Sequence, residues 1–367
     1  MTAARPAPGT DAGEWIDTLR RCPDAGDELV ALLPENGPLF DGRDAPEATR
    51  IRGYVLAAFA DAGMPDAALP YVRESLELGA EAYEIAGAAI GVRGHPDPPA
   101  DVVAALGRAV RHLVAIDATV SFESYRPSWP FTSPTTGTQE VITTLVALAS
   151  SHPTARAVLL GLAGESRRLP AAARARVAEA VAALPEDAPE PVHPCCSSTA
   201  VIPDGVGTGP VELEDQDGGH IGFDEFVVGR PSVVTFFHTR CENPYKCSAT
   251  VSRLVALRRA LDAGGPTVRI AGITYDPAFD RPDRLRTYGA DRGLCFGPDT
   301  RFFRAVSGFD ELRARFDLGV GYGASTVGRH RIELHVLDAG GRVTASFTRV
   351  GWEPEEVLAA LDRASGS

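Results

Sequence analysis

The run Val233-Val234-Thr235-Phe236-Phe237-His238-Thr239-Arg240-Cys241-Glu242-Asn243-Pro244-Tyr245-Lys246-Cys247-Ser248 decides how this chain is read. Val233 to Phe237 form an apolar stretch bounded by turn residues, the pattern of a buried strand. From Ser248 to Leu261 apolar residues recur at helical spacing, so an amphipathic helix follows. Between strand and helix, two cysteines flank an Asn-Pro loop. Lys246, set between those thiols, is the only lysine of the protein, although Lys and Arg together number 36.

Outward from this run, the C-terminal part alternates strand and helix signals. Strands are predicted at Val211-Leu213, Ser232-Phe237, Val268-Tyr275, Ile332-Leu337 and Arg342-Phe347. Helices are predicted at Ser248-Leu261, Arg281-Tyr288, Phe309-Phe316 and Pro354-Arg363. That order, with a closing hairpin turned by Asp338-Ala339-Gly340-Gly341 and a last helix, predicts a thioredoxin-like α/β domain over 200–367. Residues 185–199 are rich in Pro and Glu and read as a linker, which carries His193, Cys195 and Cys196.

Residues 1–184 are of another character. Ile51-Ala62, Ala67-Leu78, Ala80-Ile90, Asp101-Val114, Thr138-Ser150, Thr154-Ala163 and Pro170-Leu184 all place apolar residues three and four apart. Short Gly/Pro/Asp breaks separate them. An all-α domain is expected, either a HEAT-like array of helix pairs or an irregular bundle. The aromatic loop from Phe122 to Phe131 interrupts the helices and serves either a local core or a partner.

Composition bounds the function. The chain has 367 residues, 44% hydrophobic and 23% charged, with a net charge of −13. This is ordinary for two globular domains. The acidic balance argues against nucleic acid as a partner, because phosphate binding needs clustered Lys and Arg. No secretory signal and no membrane-spanning apolar run is read, so a cytoplasmic setting is expected. Six cysteines are too few for a disulfide scaffold in a chain of this size and point to metal or redox chemistry.

Cys241 and Cys247 fall at the C-terminal end of the first central strand, the edge at which open α/β sheets bind ligands. Cys247 is expected at the N-terminus of the following helix, where unpaired N–H groups favour a thiolate. Lys246 adds a positive charge to the same end. A lowered thiol pKa serves a metal ligand and a redox thiol alike.

This part of the chain resembles the SCO/SenC copper-delivery family. The cysteine loop running into Cys247-Ser248-Ala249-Thr250-Val251 is similar to that family's cysteine-bearing strand-to-helix turn. Ile273-Thr274-Tyr275-Asp276-Pro277-Ala278-Phe279-Asp280-Arg281-Pro282 resembles its Asp-Pro segment. His330 stands five residues before His335-Val336-Leu337-Asp338-Ala339-Gly340-Gly341, where the family places its third copper ligand. The resemblance implies Cys241 and Cys247 as thiolate ligands and His330 as the imidazole ligand of a copper ion. Soft sulfur suits Cu(I), and the imidazole lets the site hold Cu(II) as well. Asp276 and Asp280 would order the loop or support the ligands. The family usually separates its cysteines by three residues, and here five intervene. Its members are usually tethered at a membrane, and no tether is read here.

The resemblance implies a metallochaperone handing copper to a client protein, which the N-terminal helical domain would dock. A thiol-disulfide oxidoreductase using Cys241 and Cys247 as catalytic thiols is the alternative, since exchange needs only two close thiols. The Cys-x-x-Cys of thioredoxins and the Thr/Ser upstream of a peroxidatic cysteine are both missing. A non-catalytic interaction module is the third reading. Cys195 and Cys196 would be accessory thiols. His238 is read either as an alternate ligand or, more simply, as a hydrogen-bonded histidine facing away from the site. Cys22, Cys295, His95, His112 and His152 receive no role.

Overall fold

A computed structural model describes residues 11–165, 167, 169–184, 210–323, 326–349 and 352–365. The chain divides into two compact units, Met1–Cys196 and Ser197–Ser367. The linker thiols Cys195 and Cys196, with His193, lie outside the described residues.

Among the described residues, the N-terminal unit carries nine α-helices. They are α1 (Ala12–Arg20), α2 (Gly26–Val30), α3 (Ala45–Ala62), α4 (Leu69–Leu78), α5 (Ala82–Val92), α6 (Ala100–Ile116), α7 (Gly137–Leu148), α8 (Pro153–Gly164) and α9 (Ala171–Ala182). α3, α5, α7 and α9 pack in succession as one row, and α4, α6 and α8 as a second. Side chains start several helices: the Asp44 carboxylate accepts from the Glu47 N–H at 2.9 Å ahead of α3, and Thr136 Oγ1 accepts from the Gln139 N–H at 3.2 Å ahead of α7. α3 and α5 approach closely because Gly87 faces Gly53. A Cβ on Gly87 would lie 2.1 Å from the Gly53 carbonyl oxygen, so any larger residue would force the helices apart.

One charged cluster sits inside this helical core. The Arg52 guanidinium is 3.1 Å from Glu35, 3.5 Å from Glu74 and 3.3 Å from Glu84, and all four side chains are buried. Ser75 Oγ accepts from Arg52 Nε at 3.1 Å and donates to Glu84 at 2.7 Å. The aromatic loop is closed at its base by the two-residue strands β1 (Thr119–Val120) and β2 (Thr135–Thr136). Its first half joins the core: Phe122 stacks on Tyr83 at 4.4 Å, and Tyr125 is buried. Trp129, in contrast, is 76% exposed.

The C-terminal unit is a seven-stranded mixed sheet with helices packed on it. Its elements in chain order are β3 (Glu212–Asp215), β4 (His220–Gly222), α10 (Phe223–Val227), β5 (Ser232–Phe237), α11 (Ala249–Asp262), β6 (Arg269–Thr274), α12 (Pro282–Ala290), β7 (Thr300–Ser307), α13 (Phe309–Arg315), β8 (Val320–Tyr322), β9 (Val327–His330), β10 (Glu333–Leu337), β11 (Val343–Thr348) and α14 (Pro354–Ser365). The strand order is β11-β10-β5-β6-β7-β3-β4, and β8 and β9 pair separately. β5, β6 and β7 are parallel, and β10 runs antiparallel to β5. Every residue of β5 is buried. Val234 and Phe236 meet Phe223, Phe226 and Phe316 in one core, while Phe237 stacks on Tyr288 of α12 and packs against Phe302. A central strand covered on both faces reads as a continuous apolar run, which is why β5 is legible.

The central strand β7 escapes the sequence prediction. Its Arg301 and Arg304 pair with Asp215 and Glu214 of neighbouring β3, so charges break the apolar run. The hairpin β8–β9 also escapes, being only three and four residues per strand.

Candidate metal centre

β5 ends at Phe237, and the chain then runs His238, Thr239, Arg240, Cys241 across the C-terminal edge of the sheet. Asp280 anchors this passage. Its buried carboxylate accepts from the Thr239 N–H at 3.0 Å, from the Thr274 hydroxyl at 2.5 Å and from the Thr239 hydroxyl. Asp276 pairs with Arg240 (Oδ2 to Nε, 3.1 Å) and takes no part in the thiol cluster. Both aspartates therefore order the residues that precede Cys241.

Between the cysteines the Asn243 side chain accepts from the Tyr245 N–H at 2.9 Å. A wide helical turn, Pro244–Ser248, follows and leads into α11. At Lys246 the backbone leaves helical values (φ −102°, ψ −105°), so the chain kinks just before Cys247. The longer spacing between the cysteines is taken up in this turn.

Strand register brings in the third group. Glu333 of β10 lies opposite Phe236 of β5 in an antiparallel pair. Residues ahead of Glu333 thus run past the end of β5, and His330, the last residue of β9, reaches the cysteine loop. His330 Nε2 is 3.2 Å from Cys247 Sγ and 3.5 Å from Cys241 Sγ. Cys247 and His330 are buried, and Cys241 is partly exposed.

The two thiols differ in acidity. The hydrogen bond from Cys247 holds the Cys241 thiol well below its ordinary range, against the opposing effect of burial and with help from His330. Burial pushes the Cys247 thiol up, reinforced by the same bond to Cys241. Lys246 opposes that rise and does not overcome it. Nearness to the helix start therefore does not decide which thiol is the more acidic: the Cys241 thiol is lowered and the Cys247 thiol raised. Burial also lowers the pKa of His330, so its ring is held neutral, the form that donates a lone pair. Lys246 has a second task that sequence did not foresee. Its buried ammonium donates to the His330 carbonyl at 2.9 Å, tying the cysteine turn to β9.

His238 departs most from expectation. It is 3% exposed, and neither ring nitrogen has a hydrogen-bond partner among the described residues. It does not face away. One nitrogen each from His238 and His330 and the sulfurs of Cys241 and Cys247 all lie within 4.8 Å of one another. The His238 ring also favours the Cys241 thiolate without meeting hydrogen-bond geometry. The two imidazoles stand edge to face, with centroids 4.8 Å apart.

Beneath the site lies a network that the sequence reading missed. Glu333, fully buried, accepts from the Gly319 N–H at 2.8 Å, from Arg331 Nε at 2.7 Å and from the Tyr275 hydroxyl. The available signal was a charged residue inside the apolar run Ile332 to Leu337. This network fixes the approach of β9 and β10 to the sheet edge.

A largely buried set of two thiols and two imidazoles, one with orphaned nitrogens, fits a soft or borderline metal ion. Among the described residues no helix is long and apolar enough to cross a membrane. No curated protein matches the chain. Among solved structures, BsSco, a Sco-family cytochrome c oxidase assembly protein studied for a disulfide switch, is 21% identical. It covers 45% of this chain and 96% of its own, at a TM-score of 0.39. ScoI from Bradyrhizobium japonicum with copper bound is 21% identical, with coverage of 43% and 98% and a TM-score of 0.35. Yeast Sco1 with copper bound is 20% identical, with coverage of 44% and 93% and a TM-score of 0.35. The SCO1/SenC family model matches residues 204–365. The C-terminal unit, with its thioredoxin-like fold, is a SCO1/SenC domain.

Proposed function

We propose that the protein binds one copper ion through Cys241, Cys247 and His330 and passes it to a client protein as a cytoplasmic metallochaperone. The observation that carries this reading is the convergence of His330 Nε2 on both sulfurs, at 3.5 and 3.2 Å. Bound there, copper would supply a centre able to exchange between thiolate ligands of two proteins. Cys241, the more acidic and more accessible thiol, is the ligand a client would displace first. Asp276, Asp280 and Lys246 hold the loop and β9 in place. The helical unit is the proposed client-docking element, and the exposed Trp129 supports that assignment.

Anaerobic titration of the reduced protein with Cu(I), then Cu(II) spectroscopy, tests the reading. One tight copper per chain is expected. Cys241→Ala, Cys247→Ala and His330→Ala should each weaken it by more than the roughly 10–100-fold typical of residues that only support ligands. No stoichiometric copper, or binding indifferent to all three changes, would sink the idea.

The unequal thiols favour one second reading, in which the domain exchanges disulfides without metal. The Cys241 thiolate attacks a substrate disulfide and expels one thiolate; Cys247, losing its proton, then attacks Cys241 and releases the second. The pair is oxidised by two electrons and the substrate reduced by two. A Cys241–Cys247 pair that stays reduced in the presence of a disulfide substrate would exclude this.

A further inference from the structure

We infer that His238 is a fourth ligand, which closes the site into a four-coordinate Cys2His2 centre for a d10 ion. The inference deepens the metal-binding reading above and rests on it. His238 follows β5 directly, so the strand delivers its ring to the sheet edge without a flexible lead. An imidazole always carries at least one N–H donor, and when neutral one lone pair. Leaving such groups buried and unbonded carries their desolvation cost uncompensated, and native interiors seldom do so.

The other described histidines show how unusual this is. His95, His112, His152, His220 and His335 each hold a protein oxygen through one ring nitrogen. His330 holds the two sulfurs. Among the described residues His238 is the one histidine bonded at neither nitrogen. Its surroundings are not apolar either: the groups that face it are two sulfurs and a second imidazole, within 4.8 Å. Tetrahedral coordination at ordinary Zn- or Cu-like bond lengths needs ligand atoms ~3.3–3.8 Å apart. A contraction of about 1.5 Å at most would therefore seat an ion among all four. The perpendicular imidazoles allow this without ring overlap.

A closed site differs chemically from one with three protein ligands. No position is left for solvent, and the tetrahedral set suits Cu(I) and other d10 ions over the square arrangement that Cu(II) prefers. Transfer to a client then requires a protein ligand to leave.

X-ray absorption on the anaerobic Cu(I)-loaded full chain counts the ligands. Two sulfurs and two imidazoles per copper are expected in the wild type, and two sulfurs with one imidazole in His238→Phe. The same substitution should weaken Cu(I) at least tenfold in a competition assay. A wild-type site with two sulfurs and one imidazole would overturn the assignment of His238 while leaving the copper reading intact. No stoichiometric copper in the wild type would overturn both. Should His238→Phe fail to fold, the wild-type imidazole count still decides.

Discussion

Both units of this protein bury a polar cluster, and the two clusters are built on different logic. In the helical unit, Arg52 brings a guanidinium within 3.5 Å of three buried carboxylates. Each charged group finds its partner inside the protein, through an Arg fork and a bridging serine. In the sheet unit, His238, Cys241, Cys247 and His330 gather with no cation or carboxylate among them, and the His238 nitrogens are left unbonded. Donors and acceptors that satisfy one another describe a structural cluster. Buried imidazole nitrogens left unbonded beside two sulfurs describe a place for something else.

The comparison is tested most severely at Arg52. Arg52→Met removes the cation that three buried carboxylates share, and breaking such a cluster on one side costs about 3–5 kcal/mol. The unfolding midpoint of the helical unit in urea should fall accordingly. Arg52→Lys should recover only part, because a point charge cannot meet three partners as the planar fork does. A midpoint that does not move in Arg52→Met would mean that the cluster does not hold these helices together.

A third buried polar group sharpens the contrast. His335 is fully buried, its Nδ1 paired with Ser346 Oγ at 2.9 Å and its Nε2 unbonded, and its ring packs beside Phe236 and Phe316. Burial, assisted by Arg331, lowers its pKa to about 3. It stays neutral in the folded state while the unfolded chain takes up a proton below about pH 6.5. The unfolded state thus binds more protons between these values, and stability present above pH 6.5 is lost as pH falls toward 3. The loss amounts to about 2–3 kcal/mol by pH 4.5. Denaturant titrations of the wild type and His335→Gln across pH 4.5–7.5 would show it as a steeper decline in the wild type. Parallel profiles would mean that His335 titrates normally and that its orphaned nitrogen is an apparent one.

Much of the sheet unit was legible because its chemistry lies along a few continuous segments. β5, the cysteine loop and α11 follow one another, and periodicity alone places the thiols at the sheet edge. His330 came only through the resemblance, because the register that carries it past the end of β5 is a property of the strand pair. β7 was hidden because Arg301 and Arg304 trade charges with β3 in place of the apolar run that strand prediction needs. His238 was visible as a residue but its surroundings were not, since an orphaned nitrogen is a statement about every neighbour at once. The Arg52 cluster was beyond reach for the same reason: Glu35, Glu74 and Glu84 come from separate segments, and each reads alone as a surface charge. The acidity of the cysteines inverted for a related cause. Helix-start and lysine effects are local and can be read from order, while the burial that outweighs them at Cys247 is not.

The smallest expected effect concerns Lys246, where the two kinds of cluster meet. Like Arg52 it is a buried cation with a protein acceptor, the His330 carbonyl at 2.9 Å. Like His238 it belongs to the candidate metal centre by position, but it donates to backbone. Lys246→Met removes a charge-assisted hydrogen bond, worth about 1.5–3 kcal/mol. It also removes the cost of burying an ammonium, which offsets part of that loss. A net destabilisation of about 1 kcal/mol is expected in urea denaturation of the reduced protein. If Lys246 positions β9 against the cysteine turn, copper stoichiometry stays at one while dissociation quickens several-fold, because His330 loses its tie to the loop. A substitution that lowers stability and leaves copper dissociation unchanged would make Lys246 a structural cation of the Arg52 kind. One that abolishes copper binding outright would make Lys246 part of the centre itself, with no separation at this residue between positioning and liganding.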